Sequence, residues 1–239
     1  MSQSTEPIRN IVKIYPDLKK LTILKYKKSR DAIITDTQKG ESIFQDSNLE
    51  RSIRQTKTTI TDYVLSNNFE IFATFTFSPK KVDRFDIDAC KSKLRKWLQR
   101  QREKNPNLKY VIVPEKHKNG AIHFHALFEN IDTFTLKKTK IRQEKRDVFT
   151  MTDWRFGFSN VKFIDSNRIK VAAYITKYIT KDMIQLENKK RYWSSRNLAL
   201  PEKYYNAVDE FQIRPDLQSL VYENFYLQMH EFVKNDWLL

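Results

Sequence analysis

Leu108-Lys-Tyr-Val-Ile-Val-Pro-Glu115 and Ala121-Ile-His-Phe-His-Ala-Leu-Phe-Glu129, separated by Lys116-His-Lys-Asn-Gly120, decide how this chain folds. Both runs are rich in β-branched and aromatic residues and are bounded by turn formers, so they read as two strands of a hairpin. Side chains on a strand alternate faces, which sends His123 and His125 out of the same face, side by side. The chain has only four histidines. Two adjacent imidazoles are two ready-made ligands for a metal ion; the bland alternative is a pair of histidines on a polar sheet face.

A divalent ion needs a third donor, and the turn decides which residue supplies it. A three-residue loop 118–120, with Gly120 in the left-handed conformation, pairs 117 with 121 and 115 with 123. Glu115 then stands opposite His123, on the histidines' face. A two-residue Asn119-Gly120 turn pairs 116 with 123 instead and aims Glu115 away. Turn chemistry favours the three-residue loop. His117 shares strand parity with Glu115 and is the runner-up third ligand. Two imidazoles and one carboxylate leave positions on the ion open for a substrate oxygen, the arrangement expected of catalysis. Mg²⁺ or Mn²⁺ suits a phosphate substrate, and Mn²⁺ is the better match to imidazole.

Outward from the hairpin, Glu70-Ile-Phe-Ala-Thr-Phe-Thr-Phe77 is a strand with Phe72, Thr74 and Thr76 on one face. Asp86 reads as the N-cap of a helix to about Lys104, with an apolar stripe of Ile87, Cys90, Leu94, Trp97 and Leu98. Its other side offers Lys93, Lys96 and Arg100, either a phosphate-facing surface or a solvated one. Phe158–Ile164 reads as a further strand, residues 167–186 as a helix, and Leu21–Tyr26 as a possible strand. This order argues an α+β fold, an antiparallel sheet with helices packed on it. Residues 1–65 are expected to form an N-terminal extension of open role, 66–204 the central domain, and 205–239 a C-terminal helical extension.

The net charge is +15. Residues 66–204 carry 30 Lys and Arg against 15 Asp and Glu, so the block holding the hairpin accounts for all of it. Nucleic acid is the favoured partner. One cysteine, Cys90, excludes a disulfide framework and points to a reducing compartment; it belongs to the helix stripe as a small hydrophobe. No apolar run approaches a membrane span and no signal-peptide core is visible, so a cytoplasmic location is expected. Three glycines leave no room for a Walker loop or a dinucleotide fingerprint. No small-molecule nucleotide cofactor is expected, and any unwinding must come from elsewhere.

Val171-Ala-Ala-Tyr-Ile-Thr-Lys-Tyr-Ile-Thr-Lys181 is the second constellation. At 100° per residue Val171, Ala172, Ile175 and Ile179 form a buried stripe, while Lys170, Lys177 and Lys181 gather on another face. Tyr174 and Tyr178 fall between them, one turn apart. Border tyrosines often do no more than bury a ring and wet a hydroxyl. The doubled Tyr-x-x-Lys spacing beside a candidate metal site suggests more. A phenol needs help to attack, and nearby ammonium groups favour the phenolate while a metal polarises the scissile phosphate. Attack produces a phosphotyrosine link and a free 3′-hydroxyl, keeping the bond energy for rejoining.

Together these residues resemble the HUH endonucleases (His-hydrophobe-His), specifically replication initiators of small single-stranded-DNA phages and rolling-circle plasmids. Phe72–Phe77 resembles the family's first motif, Pro114-Glu115 to His123-Phe124-His125 its second, and Tyr174-Ile-Thr-Lys177-Tyr178 its third. Arg191-Tyr-Trp-Ser-Ser-Arg196 is similar to a segment that follows in phage-type members. The resemblance covers residues 70–200 and implies an HUH/RRM-like antiparallel sheet of about five strands. It further implies Mg²⁺ or Mn²⁺ dependence and nicking of single-stranded or hairpin origin DNA in a bacterial host, with host helicase and polymerase as partners. By the same resemblance His123, His125 and Glu115 bind metal, Tyr174 or Tyr178 attacks, and Lys177 positions phosphate or metal. Two further readings stay open: a single-tyrosine transposase of the same superfamily, against which the second tyrosine argues, and a non-catalytic basic single-strand-binding protein.

Overall fold

The structure, a computed structural model, describes residues 10–16, 18–24, 41–143, 145–164, 167–180, 191–205, 220–223 and 227–233. These fall into two compact units, one spanning residues 44–199 and the other built from residues on either side of it.

The central unit is built on an antiparallel sheet whose strands are β3 (Ile71–Phe75), β4 (Lys109–Lys116), β5 (Ile122–Glu129), β6 (Leu136–Gln143), β7 (Arg146–Met151), β8 (Ser159–Phe163) and β9 (Trp193–Ser194). Their order is β6-β7-β8-β3-β5-β4-β9, with the histidine strand between β3 and β4. The α+β fold is as expected, but the sheet is wider than five strands. The lysine-rich β6 and β7 hairpin accounts for most of the difference. Leu136-Lys-Lys-Thr-Lys-Ile-Arg-Gln143 hides its strand character because β6 is exposed along most of its length and carries no apolar alternation.

Helix α2 (Ile87–Lys104) covers one face of this sheet. Its start is set by Asp86, whose carboxylate accepts from the amides of Asp88 and Ala89 at 2.8 and 3.2 Å, satisfying donors a helix leaves orphaned. It stops at Asn105, held extended at φ −139° by the following Pro106. Cys90, Leu94, Trp97 and Leu98 pack on Phe75, Phe124 and Phe128. The Trp97 and Phe75 rings lie 5.1 Å apart and Phe75 and Phe128 6.2 Å. Each such fully buried side chain stabilises by roughly 1.5–3 kcal/mol. Burial, then the charges of Asp86 and Asp83, push the Cys90 thiol up to about 12. It is an inert hydrophobe, as its place in the stripe implied.

Helices α1 (Glu41–Ser66) and α3 (Arg168–Thr176) lie on the opposite face. Ile53, Ile60 and Val64 of α1 and Ala172 and Ile175 of α3 pack against Val111, Val113 and Leu127. The core is therefore two layers either side of the sheet, and the odd-numbered residues of β4 and β5 face α1 and α3. Helix α1 was not foreseen: Thr56, Thr58, Thr59 and Thr61 interrupt its apolar spacing, and their branched side chains disfavour helix. Residues 44–65 thus belong with the sheet, so the boundary lies before this helix and not at residue 65.

Helix α3 is shorter than the expected 167–186. Asn167 caps it, accepting from the Lys170 amide at 2.9 Å. It ends at Thr176, whose hydroxyl donates back to the Ala172 carbonyl at 2.7 Å. Lys177 and Tyr178 form a tighter turn, with the Ile179 amide reaching the Thr176 carbonyl at 3.1 Å. Residues 181–186 lie outside the described residues.

The second unit is a sheet in the order β10-β1-β2-β12-β11, from β1 (Asn10–Ile14), β2 (Leu18–Leu24), β10 (Glu202–Tyr205), β11 (Leu220–Glu223) and β12 (Leu227–Val233). The expected strand at 21–26 appears three residues earlier. The expected C-terminal helical extension over 205–239 is corrected: its described residues from 220 onward are strands. Strand β12 pairs with β2 along seven residues, Leu227 opposite Leu24 through Val233 opposite Leu18. A partner two hundred residues upstream leaves no local mark to read.

Candidate active site

The hairpin turn takes the three-residue form. The Gly120 amide donates to the His117 carbonyl at 2.7 Å, the His117 amide to the Ala121 carbonyl at 2.9 Å, and Gly120 has φ +86°. Glu115 therefore stands directly opposite His123, and Val113 opposite His125. This is the register the turn chemistry favoured, and it puts Glu115, His123 and His125 on the face that carries α3.

His125 is the hub. Its Nε2 and the Glu115 Oε2 are 2.7 Å apart, and its Nδ1 lies 3.1 Å from the Thr74 hydroxyl of β3. Phe72 stacks on it at 5.8 Å from one side. Tyr178 stacks far closer, with ring centroids 3.6 Å apart and planes at 14°. The imidazole is only 5% exposed. His123 and His117 form a second stacked pair at 5.1 Å, so His117 sits at the margin of the cluster, its Nδ1 3.3 Å from Asn119 Oδ1.

The electrostatics suit ligands. The hydrogen bond to His125, aided by the charges of the three histidines, holds the Glu115 carboxyl below its usual range against the opposing effect of burial. Burial keeps His123 below the ordinary imidazole value, although Glu115 pulls the other way. An ionised carboxylate and a neutral imidazole are the protonation states a metal requires. In kind the donor set fits a hard or borderline divalent ion. As arranged here the donors bond to one another, and among the described residues no three His, Cys, Asp or Glu side chains enclose a metal position.

The tyrosines meet the hairpin as one assembly. The Tyr178 hydroxyl donates to the Tyr174 hydroxyl at 3.1 Å, and the two rings pack edge-on at 5.7 Å. Tyr174 also packs edge-on against Phe72 at 5.0 Å and is 43% exposed. Lys177 sits over both rings, its Nζ 3.9 Å from the Tyr174 centroid and 4.9 Å from that of Tyr178. This corrects one expectation: the lysine lies over the π faces and not beside the hydroxyls. Burial, the bond to Tyr174 and the Glu115 charge raise the Tyr178 phenol well above its ordinary value. Tyr178 keeps its proton. Lys181 lies outside the described residues.

Sequence reasoning missed Thr74, although its parity with Phe72 was visible. It stands directly opposite His125 across the β3–β5 ladder, and that pairing of distant segments was the one fact needed to find it.

Residues 70–183, which include every residue of this assembly, match a family model of replication-associated proteins of the ORF2 type. No curated protein and no solved structure matches the chain. The matched segment is similar to replication-associated proteins, and the match supports a replication initiator as the class.

Proposed function

We propose that the protein is a rolling-circle replication initiator of the HUH type, which nicks and rejoins single-stranded origin DNA through a 5′-phosphotyrosine intermediate. The reading is carried by one observation: the Tyr178 ring lies 3.6 Å from that of His125, and its hydroxyl leads to Tyr174. A tyrosine pair, an imidazole pair and a carboxylate thus share one surface of a strongly basic segment.

His123, His125 and Glu115 are the residues that would hold Mg²⁺ or Mn²⁺. When bound, the ion supplies charge stabilisation to a scissile phosphate. Thr74 fixes the orientation of the His125 ring, as outer partners of ligating histidines do. Tyr174 makes the first attack, because its hydroxyl is the exposed one. Tyr178 donates a hydrogen bond to the attacking oxygen, which favours the charged form as it develops. The Lys177 ammonium over the Tyr174 ring adds a positive field. In balance, the Tyr174 O–H bond and the P–O3′ bond break, an O–P bond to Tyr174 forms, and the leaving 3′-oxygen ends as a hydroxyl. Phe72 and Tyr174 offer ring faces for bases beside the cut.

The test is a denaturing gel with a panel of single-stranded oligonucleotides, with and without Mg²⁺ or Mn²⁺, followed by mass-spectrometric mapping. A metal-dependent covalent adduct on Tyr174 is expected, and none in the Tyr174→Phe/Tyr178→Phe double variant. An adduct that persists in the double variant overturns the nucleophile assignment. Binding without any adduct favours the non-catalytic reading.

A further inference from the structure

The sheet face turned away from the histidines carries a cavity of about 540 Å³ on the outer side of α2. Its lining includes Lys91, Arg95 and Arg102 from the helix, Tyr110 from β4 and Trp193 from β9, with Glu103 the lone carboxylate among its lining residues. Three cations against one carboxylate select an anion. Arg95 and Arg102 are exposed, whereas Lys91 is buried and reaches Asp88 at 3.2 Å. Tyr110 is 8% exposed, with the Arg102 guanidinium beside its hydroxyl drawing its pKa down against the larger effect of burial. Trp193 is half-buried, backed by Phe124 at 5.4 Å, on an edge strand that pairs with β4 at Val111 and Ile112.

The volume lies within the range of ligand sites and holds a nucleotide unit. Cations beside aromatic rings are what a single strand needs: the cations take phosphate and a ring takes a base. Residues of the cavity belong to the layer built on Phe124 and Phe128, while His123, His125 and the tyrosines occupy the other side of the same strands. A nucleotide held here is not the one being cut.

We propose that this cavity is a second DNA subsite, binding one nucleotide of the single strand away from the scissile phosphate, with Arg95 and Arg102 on phosphate and Trp193 against the base. That the ligand is single-stranded DNA rests on the function proposed above; the cavity itself is independent of the histidine hairpin.

Wild type and an Arg95→Ala/Arg102→Ala variant are compared on a 30-nucleotide single strand and on the shortest oligonucleotide that still forms the adduct. The variant is expected to bind the long strand about tenfold more weakly and to lose about 1.4 from its log–log salt slope, about 0.7 per phosphate contact. Adduct formation on the short strand stays unchanged. A bromodeoxyuridine-substituted long strand should photocrosslink to the peptide holding Trp193. Because Arg102 supports Tyr110, Arg95→Ala alone repeats the measurement at an exposed position, with about half the slope change. Unchanged affinity and slope overturn the proposal. So does loss of adduct on the short strand, which would assign these cations to the cutting site, or full competition by a free deoxynucleoside monophosphate. A wild type that forms no adduct fells the nicking function, while the long-strand and crosslinking results still decide this one.

Discussion

His125 has both ring nitrogens engaged and a ring face covered, by side chains from β3, β4 and the turn after α3. Thr74 is the partner that touches nothing else at the centre. Thr74→Val keeps the shape and removes the hydroxyl, and the loss of such a partner costs about 10–100-fold in metal affinity or activity. Nicking assayed against metal concentration is expected to show this loss with the fold intact; an unchanged metal dependence would exclude Thr74 from the centre. His123 makes a second prediction. Its folded pKa lies below the ordinary 6.5 because of burial, so below about pH 6.5 the unfolded chain takes up a proton that the folded chain refuses. Stability is lost as pH falls through that window. The groups facing His123 are Glu115, His117, His125 and Arg84, and Glu115 acts in the same sense at lower pH, its contribution lost as pH falls through its own depressed value. In chelator, the melting temperature of wild type is therefore expected to fall more steeply than that of His123→Asn between pH 7 and 5. Parallel profiles would show that the ring titrates freely.

At the scale of elements the hairpin turn does most to align the site. Gly120 sits at φ +86° with its nearest neighbour, Phe85, 3.5 Å from where a Cβ would stand. Alanine fits the space but not the conformation. Gly120→Ala is expected to cost about 1 kcal/mol in denaturant unfolding, and Gly120→Asn less, since asparagine tolerates the left-handed region. Equal costs would argue that the turn relaxes and the register with it. The hairpin, β3 and the Asp86-capped helix were legible because each is written in neighbouring residues: a turn signal, an alternation, a cap and a stripe. Helix α1 was hidden by its threonines, β6 and β7 by their lysines, and β12 by a partner far upstream. The same division runs through the site. Glu115 opposite His123 follows from counting through a turn, whereas Thr74 on His125 and Tyr178 over its ring depend on segments 51 or more residues apart in the chain.

For the whole molecule the governing quantity is charge. The net +15 resides in residues 66–204, nearly the same span as the unit that holds the hairpin, the tyrosines and the α2 cavity. Binding to single-stranded DNA should accordingly be dominated by phosphate contacts and weaken steeply with salt, with a slope of about −0.7 per contact. His123→Ala is expected to abolish cutting and leave both affinity and slope nearly unchanged, measured by fluorescence anisotropy across a salt series. Equal loss of binding and cutting in a folded variant would count against a purely chemical role for the ring. The wide sheet also keeps its two sides apart. Gly157 allows this at one end: a Cβ there would meet the Thr76 carbonyl at 2.1 Å, so the loop into β8 closes tightly on β3.

The stack of Tyr178 on His125 carries a spectroscopic signature. Carbon-bound protons of an imidazole lying under a phenol ring are shielded by its circulating electrons, so the His125 resonances should stand upfield of those of the other three histidines. If Tyr178 must leave that perch to take a turn at the DNA, its departure will register as a downfield drift of one proton signal, readable before any bond is broken.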